Sequence, residues 1–213
     1  MSQTKLQLYN GALRLLEERK LSSLSENREP RRVLDDIWDE GAIDACLEVG
    51  LWNFAMRTVR AEYSPSVEPS FGYRYAFDKP TDWIRTAAVC YDETFGTPCL
   101  QYRDEAGYWF APVDTLYIQY VSNDNQYGAD LSLWPQSFAK FVQSYLALEA
   151  CGRITGSKAS RDDVESEMKK RKLEAMNKDA MNEPSKFPAT GSWVRSRGTS
   201  GSSDRGPRGR LIG

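Results

Sequence analysis

The spacing of apolar residues changes twice along the chain, and this change limits the possible folds more than any other feature. In residues 4–20 apolar side chains recur every three or four positions, which is the period of an amphipathic helix. Between residues 71 and 121 apolar and aromatic side chains alternate with polar ones, which is the period of a strand. Helical spacing returns after Pro135. The chain is therefore predicted to be helical, then β, then helical again.

Helical spacing predicts four further segments, over residues 31–49, 51–63, 135–153 and 161–181. The segment at 135–153 is apolar over much of its circumference, so we expect it to lie at the centre of a bundle. The last segment is highly charged and carries a thin apolar stripe of Val164, Met168, Leu173, Met176 and Ala180. The aromatic residues expected to pack together in the helical core are Trp38, Trp52, Phe54, Phe138, Phe141 and Tyr145.

The alternating stretch predicts four or five short antiparallel strands, with a hairpin turn at "DEAG", residues 104–107. The predicted fold is therefore α+β: a mainly α-helical bundle with an inserted antiparallel β-rich domain and an extended C-terminal tail. The predicted boundaries are 1–63 and 126–183 for the bundle, 64–125 for the insertion, and 184–213 for the tail.

The C-terminal segment differs sharply in composition from the rest. From Pro184 onward it contains six basic residues and one acidic residue, with six glycines and six serines, whereas the residues before it carry an excess of acidic side chains. Such a segment cannot bury enough surface to offset its ordering entropy, so we expect it to be disordered in the free monomer. Its charge favours an acidic partner.

Cysteine usage and the start of the chain favour a protein made in a reducing cytosol. The four cysteines form no C-x-x-C pair and lie among apolar neighbours, so we expect reduced, buried thiols. The N-terminal residues lack the pattern of a signal peptide, and no apolar run approaches the length of a membrane span.

The residues indicate little chemistry. The chain has no histidine, which removes the commonest general base near neutral pH and most zinc sites. Asp35 and Asp39 share a helical face and could hold a metal or form an acid–base pair, but Arg31 and Arg32 beside them favour a solvated surface. We therefore expect no catalytic residue, no metal site and no cofactor, and a protein that is not an enzyme.

Three passages together resemble the phage head-to-tail adaptor family, the tail tubular protein A type of short-tailed phages. The first is the opening "LYNGALRLLEERKLSSLSE". The second is the passage "RRVLDDIWDEGAIDACLEVGLWNFA", which ends on Trp52, Asn53, Phe54 and Ala55. The third is "FGYRYAFDKPTDWIRTAAVCYDE", which is similar to the family's entry into its β-rich part. The resemblance covers residues 4–155.

The resemblance implies a structural virion protein at the head–tail junction. Family members form a ring, a dodecamer, beneath the portal protein; they extend the DNA channel and provide the platform for a tail nozzle or other tail protein. Genomic DNA would pass through the lumen without specific binding, and no membrane would be involved. Tyr108 and Trp109, at the predicted hairpin, are the candidates for contact with a tail protein or a neighbouring subunit. The resemblance implies that the C-terminal segment docks on the portal, and the candidate portal-binding residues are Trp193, Val194, Arg195, Arg197, Arg205, Arg208, Arg210, Leu211 and Ile212.

Two other functions remain open from the residues. The aromatic residues of the β region and the basic tail could form a single-stranded nucleic-acid-binding module. However, acidic residues such as Asp78, Asp82 and Glu105 stand among the aromatics and favour core or protein contacts. An enzyme acting through Asp35 and Asp39 is the third possibility.

Overall fold

The computed structural model describes residues 3–69, 72–156 and 158–182, and these residues form an α+β fold with five helices and two antiparallel sheets. The helices are α1 (Lys5–Leu15), α2 (Glu29–Asp39), α3 (Ala42–Glu48), α4 (Gln136–Ile154) and α5 (Lys158–Ala180). The strands are β1 (Met56–Glu62), β2 (Tyr75–Asp78), β3 (Trp83–Cys90), β4 (Arg103–Glu105), β5 (Tyr108–Ala111) and β6 (Thr115–Ser122). The predicted fold class is thus confirmed for these residues. The predicted tail lies outside them.

Helix α4 forms the centre of the helical core, as its apolar circumference predicts. Its Phe138 ring lies 4.8 Å from the ring centroids of both Trp52 and Phe54, and its Phe141 ring lies 6.2 Å from that of Trp52. Trp38 joins the same core from α2, with its ring edge against Tyr9 of α1. The predicted aromatic cluster is therefore confirmed, and it ties the first three helices to α4.

The single helix predicted over residues 31–49 is wrong, because the segment forms two helices. Helix α2 ends at Asp39, and Gly41 adopts a φ of +100°, where a residue with a side chain would be strained. The Gly41 N–H bonds back to the carbonyl of Trp38, which ends the helix and lets α3 start in a new direction.

The helix predicted over residues 51–63 is also wrong. Residues Asn53–Ala55 form one 3₁₀ turn, and β1 follows at once from Met56. Strand β1 pairs along its whole length with β6, from Met56 opposite Val121 to Glu62 opposite Thr115. The exposed Thr58 and Arg60 alternate with residues that are less exposed, so the segment has the period of a strand. Consequently the strand-forming part of the chain begins at Met56 and not at residue 64.

The strands form two three-stranded sheets, in the orders β1-β6-β3 and β2-β5-β4. Leu116, Ile118 and Tyr120 of β6 are fully buried and lie in one apolar cluster with Phe77 of β2 and Trp109 of β5. The predicted hairpin is confirmed: Ala106 and Gly107 join β4 to β5, and both have positive φ.

Helix α5 presents a different face from the predicted one. Val164, Ala175 and Asp179 are buried, whereas Leu173 is 61% exposed and Met176 is 37% exposed. The buried positions keep helical spacing, but they include an acidic residue and exclude three of the predicted apolar ones, Leu173, Met176 and Ala180. The stripe predicted from residue 173 onward is therefore wrong.

All four cysteines are buried and free of disulfides, as predicted. Burial raises the pKa of the Cys46 thiol far above its ordinary value, so this thiol stays protonated. None of the helices that the structure describes is both long and apolar enough to cross a membrane.

Candidate functional site

The predicted portal-binding residues cannot be placed, because all of them lie outside the described residues: Trp193, Val194, Arg195, Arg197, Arg205, Arg208, Arg210, Leu211 and Ile212. The structure does place the hairpin β4–β5 and the passage Trp52 to Ala55. It also defines the last turn of α5, directly before the predicted tail.

Trp109 is buried in the β core of its own chain. Its side chain is therefore not available for the predicted contact with a tail protein or a neighbouring subunit, and that prediction is wrong for Trp109. Its side chain is fully inaccessible, and its indole N–H donates to the Thr86 hydroxyl over 2.9 Å. The Nζ atom of Lys79 lies 3.4 Å from the Trp83 ring centroid and 5.6 Å from that of Trp109, and it forms an ion pair with Asp104. A ring held in this way cannot reach a partner without breaking the core.

Tyr108 remains a candidate contact residue, together with Phe110. Successive residues of a strand face opposite sides, so Tyr108 and Phe110 lie on the face opposite to Trp109, and both are half-buried. Their ring centroids are 6.1 Å apart. Phe110 also lines an open cavity of about 470 Å³ together with Tyr73 and Arg103. The alternation in "YWFA" is the sequence signal that would have paired Tyr108 with Phe110.

The residues Trp52 to Ala55 join three parts of the fold. Trp52 and Ala55 are buried in the helical core, and the Trp52 indole N–H donates to the carbonyl of Cys46 in α3 over 3.1 Å. Phe54 packs on Phe138 of α4. This passage therefore links α3 and α4 to the start of β1.

Asn53 attaches the same passage to the end of α5. Its backbone N–H donates to the Asp179 carboxylate at 3.0 and 3.3 Å, and its side-chain amide donates to the Asp179 carbonyl at 2.9 Å. A carboxylate near the C-terminus of a helix is disfavoured by the helix dipole. Here the N–H of the 3₁₀ turn offsets that cost. The last turn of α5 is thus fixed to the bundle directly before the predicted tail.

Asp82 lies directly before β3 and connects it with the other two strands of its sheet, β1 and β6. It pairs with Arg57 of β1 at 2.8 Å and accepts hydrogen bonds from the hydroxyls of Tyr120 and Ser122 of β6. Partial burial acts to raise the pKa of Asp82, but the bonds from Ser122 and Arg57 outweigh it and hold the pKa below its usual range. Burial, followed by the charge of Asp82, raises the pKa of Tyr120 to about 12. The contacts of the Asp82 carboxylate thus hold neighbouring strands together.

Asp35 is likewise occupied by structural partners. It forms ion pairs with Lys5 at 3.3 Å and with Arg31, and it accepts a hydrogen bond from the Tyr9 hydroxyl at 2.9 Å. The Lys5 ammonium also lies 5.0 Å from the Trp38 ring centroid. These contacts hold α1 against α2.

No family model matches this chain, and no curated protein matches it.

Proposed function

We propose that this chain is a structural virion protein: a head-to-tail adaptor that forms a ring beneath the portal, extends the DNA channel and carries the next tail component. Its partners would be the portal protein, a tail nozzle or other tail protein, and further copies of itself. The proposal includes no catalytic activity and no cofactor.

The observation that carries the proposal is the junction at Asn53. The Trp52–Ala55 passage, on which the resemblance partly rests, holds the last turn of α5 through the two bonded groups of Asp179. A docking segment positions the body on its partner more precisely, and at a lower ordering cost, when the residue it leaves from is held firmly. Residues 184–213 follow such a fixed point by a few residues. A helical body with a fixed exit point and a basic tail fits an adaptor.

The single-stranded nucleic-acid alternative has less support from the fold. A stacking platform needs aromatic rings that bases can reach. Phe77, Trp109 and Tyr120 are fully buried, so these three rings of the β region are not accessible.

The decisive experiment compares the full chain with a chain that ends at Glu183. Each is added to DNA-filled heads that carry a portal but lack the adaptor, and particles are examined by sedimentation and electron microscopy. We expect the full chain to form a ring under the portal. The shortened chain should keep its helical circular dichroism but fail to attach, and the heads should leak DNA.

Two results would contradict parts of the proposal. Attachment of the shortened chain at the level of the full chain would show that residues 184–213 are not the docking element. Failure of the full chain to attach to the portal under any condition, with tight binding to a single-stranded oligonucleotide in a filter assay, would favour the alternative function.

A further inference from the structure

A polar groove lies between α1 and α4, on the helical side of the molecule. It has a volume of about 530 Å³, and none of its lining residues is acidic. Its walls carry three cations, Arg14, Lys20 and Lys140, and its lining includes the side chain of Gln143. This concentration of positive charge is notable because the residues before the tail are acidic overall.

None of the three cations forms a close ion pair within the described residues, although the charge of Lys140 is one of those that lower the pKa of Glu174. The ion pairs of the helical region engage other side chains, such as Arg171 with Glu167 and Lys178 with Glu174. Arg14, Lys20 and Lys140 are all exposed. They are therefore available to an external anionic group that enters the groove.

Gln143 is the unusual residue of the groove. It is a polar residue only 6% exposed, and its amide makes no hydrogen bond to any residue that the structure describes. The amide lines the groove, so its donor and acceptor groups can bond to an occupant.

Gly11 of α1 creates the space for this amide. A methyl group at Gly11 would lie 2.2 Å from the Gln143 Cδ atom and 2.4 Å from its Oε1 atom. No side chain fits there while Gln143 keeps this position. The close approach of the two helices thus depends on glycine, and it holds the amide of Gln143 against α1 at the groove.

We propose that this groove binds an extended acidic peptide segment of a partner protein. A side-chain amide has both donor and acceptor groups, and it can pair with the N–H and C=O of one peptide unit, whereas a phosphate oxygen offers only acceptors. Asn10, in the same groove, already pairs in this way with both backbone groups of Leu21, at 2.7 and 3.0 Å. Gln143 would do the same for the partner's backbone. Carboxylates on the partner would pair with Arg14, Lys20 and Lys140. This inference does not depend on the proposed adaptor function.

The test uses the full chain and a short fluorescein-labelled peptide of alternating glutamate and serine, with binding followed by fluorescence anisotropy. The basic tail is present in every variant, so its own attraction for the peptide is a constant background. Two groove variants are compared with wild type: Arg14→Gln with Lys140→Gln, and Gln143→Met, which keeps the side-chain size and removes the amide. The matched control is Arg60→Gln with Lys170→Gln, which removes the same charge from exposed positions outside the groove.

We expect each groove variant to weaken peptide binding about tenfold and the control to leave it unchanged. Hydrogen exchange of the wild type should show peptide-dependent protection in α1 and α4. Circular dichroism and thermal unfolding show whether a variant is folded, and Gln143→Met is chosen because it removes no packing volume. Peptide affinities of Gln143→Met equal to wild type would overturn the proposal. So would a single-stranded oligonucleotide or inorganic phosphate that displaces the peptide and itself binds less tightly to Gln143→Met, because the occupant would then be a phosphate group.

Discussion

Phe141 lies at the centre of the helical core, where a single side chain makes a large contribution to stability. It is 1% exposed, and it packs against Trp52 and Phe138. We expect Phe141→Ala to lower the free energy of unfolding by about 3–5 kcal/mol, because it removes buried apolar surface and leaves a cavity. Urea unfolding followed by tryptophan fluorescence measures the difference.

Leu173→Ala is the control for this prediction. Leu173 is 61% exposed on α5, so its loss should change the free energy of unfolding by less than about 0.5 kcal/mol. A loss below about 1 kcal/mol for Phe141→Ala would show that α4 does not present this face to the core. A large loss for Leu173→Ala would show that the other face of α5 is the packed one.

Asp82 should make stability depend on pH in a particular direction. Its pKa in the folded protein is lowered from an ordinary value of 3.8, so its contribution is present above that value and is lost as the pH falls through the lowered pKa. We expect Asp82→Asn to cost about 2 kcal/mol near neutral pH, because it removes the charge that pairs with Arg57.

The difference between wild type and Asp82→Asn isolates this group from the other carboxylates. The asparagine does not titrate, so the difference in unfolding free energy should stay constant from neutral pH down to about pH 5 and shrink below about pH 4. Urea unfolding at a series of pH values measures it. If the difference is as large at about pH 3 as at neutral pH, the cost of Asp82→Asn does not come from the charge of Asp82.

At the scale of elements, the end of α5 depends on one residue of a distant segment. Asn53→Ala removes the side-chain bond to the Asp179 carbonyl and should destabilise the protein by about 1 kcal/mol. The effect should be local, so hydrogen exchange should rise in the last two turns of α5 and stay unchanged in α4.

Asn177→Ala provides the control, because Asn177 is exposed on the same part of α5. It should leave exchange in α5 unchanged or slightly slower, since alanine is the better helix former. Equal exchange in the Asn53 and Asn177 variants would show that the Asn53–Asp179 contact does not hold the helix end.

Apolar spacing predicts an element correctly when a single period, of helix or of strand, runs through the whole segment. The long α4 and the strand β6 are confirmed because each has one clear period, of helix and strand respectively. Strand β1 was missed because apolar residues also continue at helical spacing from Trp52, and its strand character depends on pairing with β6, some sixty positions away in sequence. Gly41 could have been recognised as a helix end, since glycine is common directly after a helix.

The contact residues show a different limit of sequence reasoning. Tyr108 and Trp109 are both aromatic, and composition treats them alike, but neighbours on a strand face opposite sides. The surroundings of Trp109 come from other segments of the chain: the Thr86 hydroxyl accepts its indole N–H, and the Lys79 ammonium lies near its ring. Likewise, the polar groove between α1 and α4 could not be predicted from the sequence, because Gly11 and Gln143 meet only through the packing of α1 on α4.

At the scale of the whole molecule, an acidic body is joined to a basic C-terminal segment. In the proposed adaptor the acidic surface would let DNA pass without sticking, and the basic segment would pair with carboxylates of the portal. Exposed charge pairs are screened over about 8 Å at physiological ionic strength. Attachment to the portal should therefore weaken steadily as salt is raised.

The kind of contact is tested by replacing Arg205, Arg208 and Arg210 together, once with lysine and once with glutamine. Arginine forms forked bonds to a carboxylate, whereas lysine keeps the charge without the fork. We expect the lysine variant to attach less tightly than wild type and the glutamine variant to attach least, with a weaker dependence on salt because three charges are gone. Sedimentation of portal-containing heads with labelled protein, over a series of salt concentrations, measures both affinity and salt dependence. If the lysine variant equals wild type at every salt concentration, the arginines act as charges alone. If the glutamine variant does so as well, this end of the chain does not contact the portal.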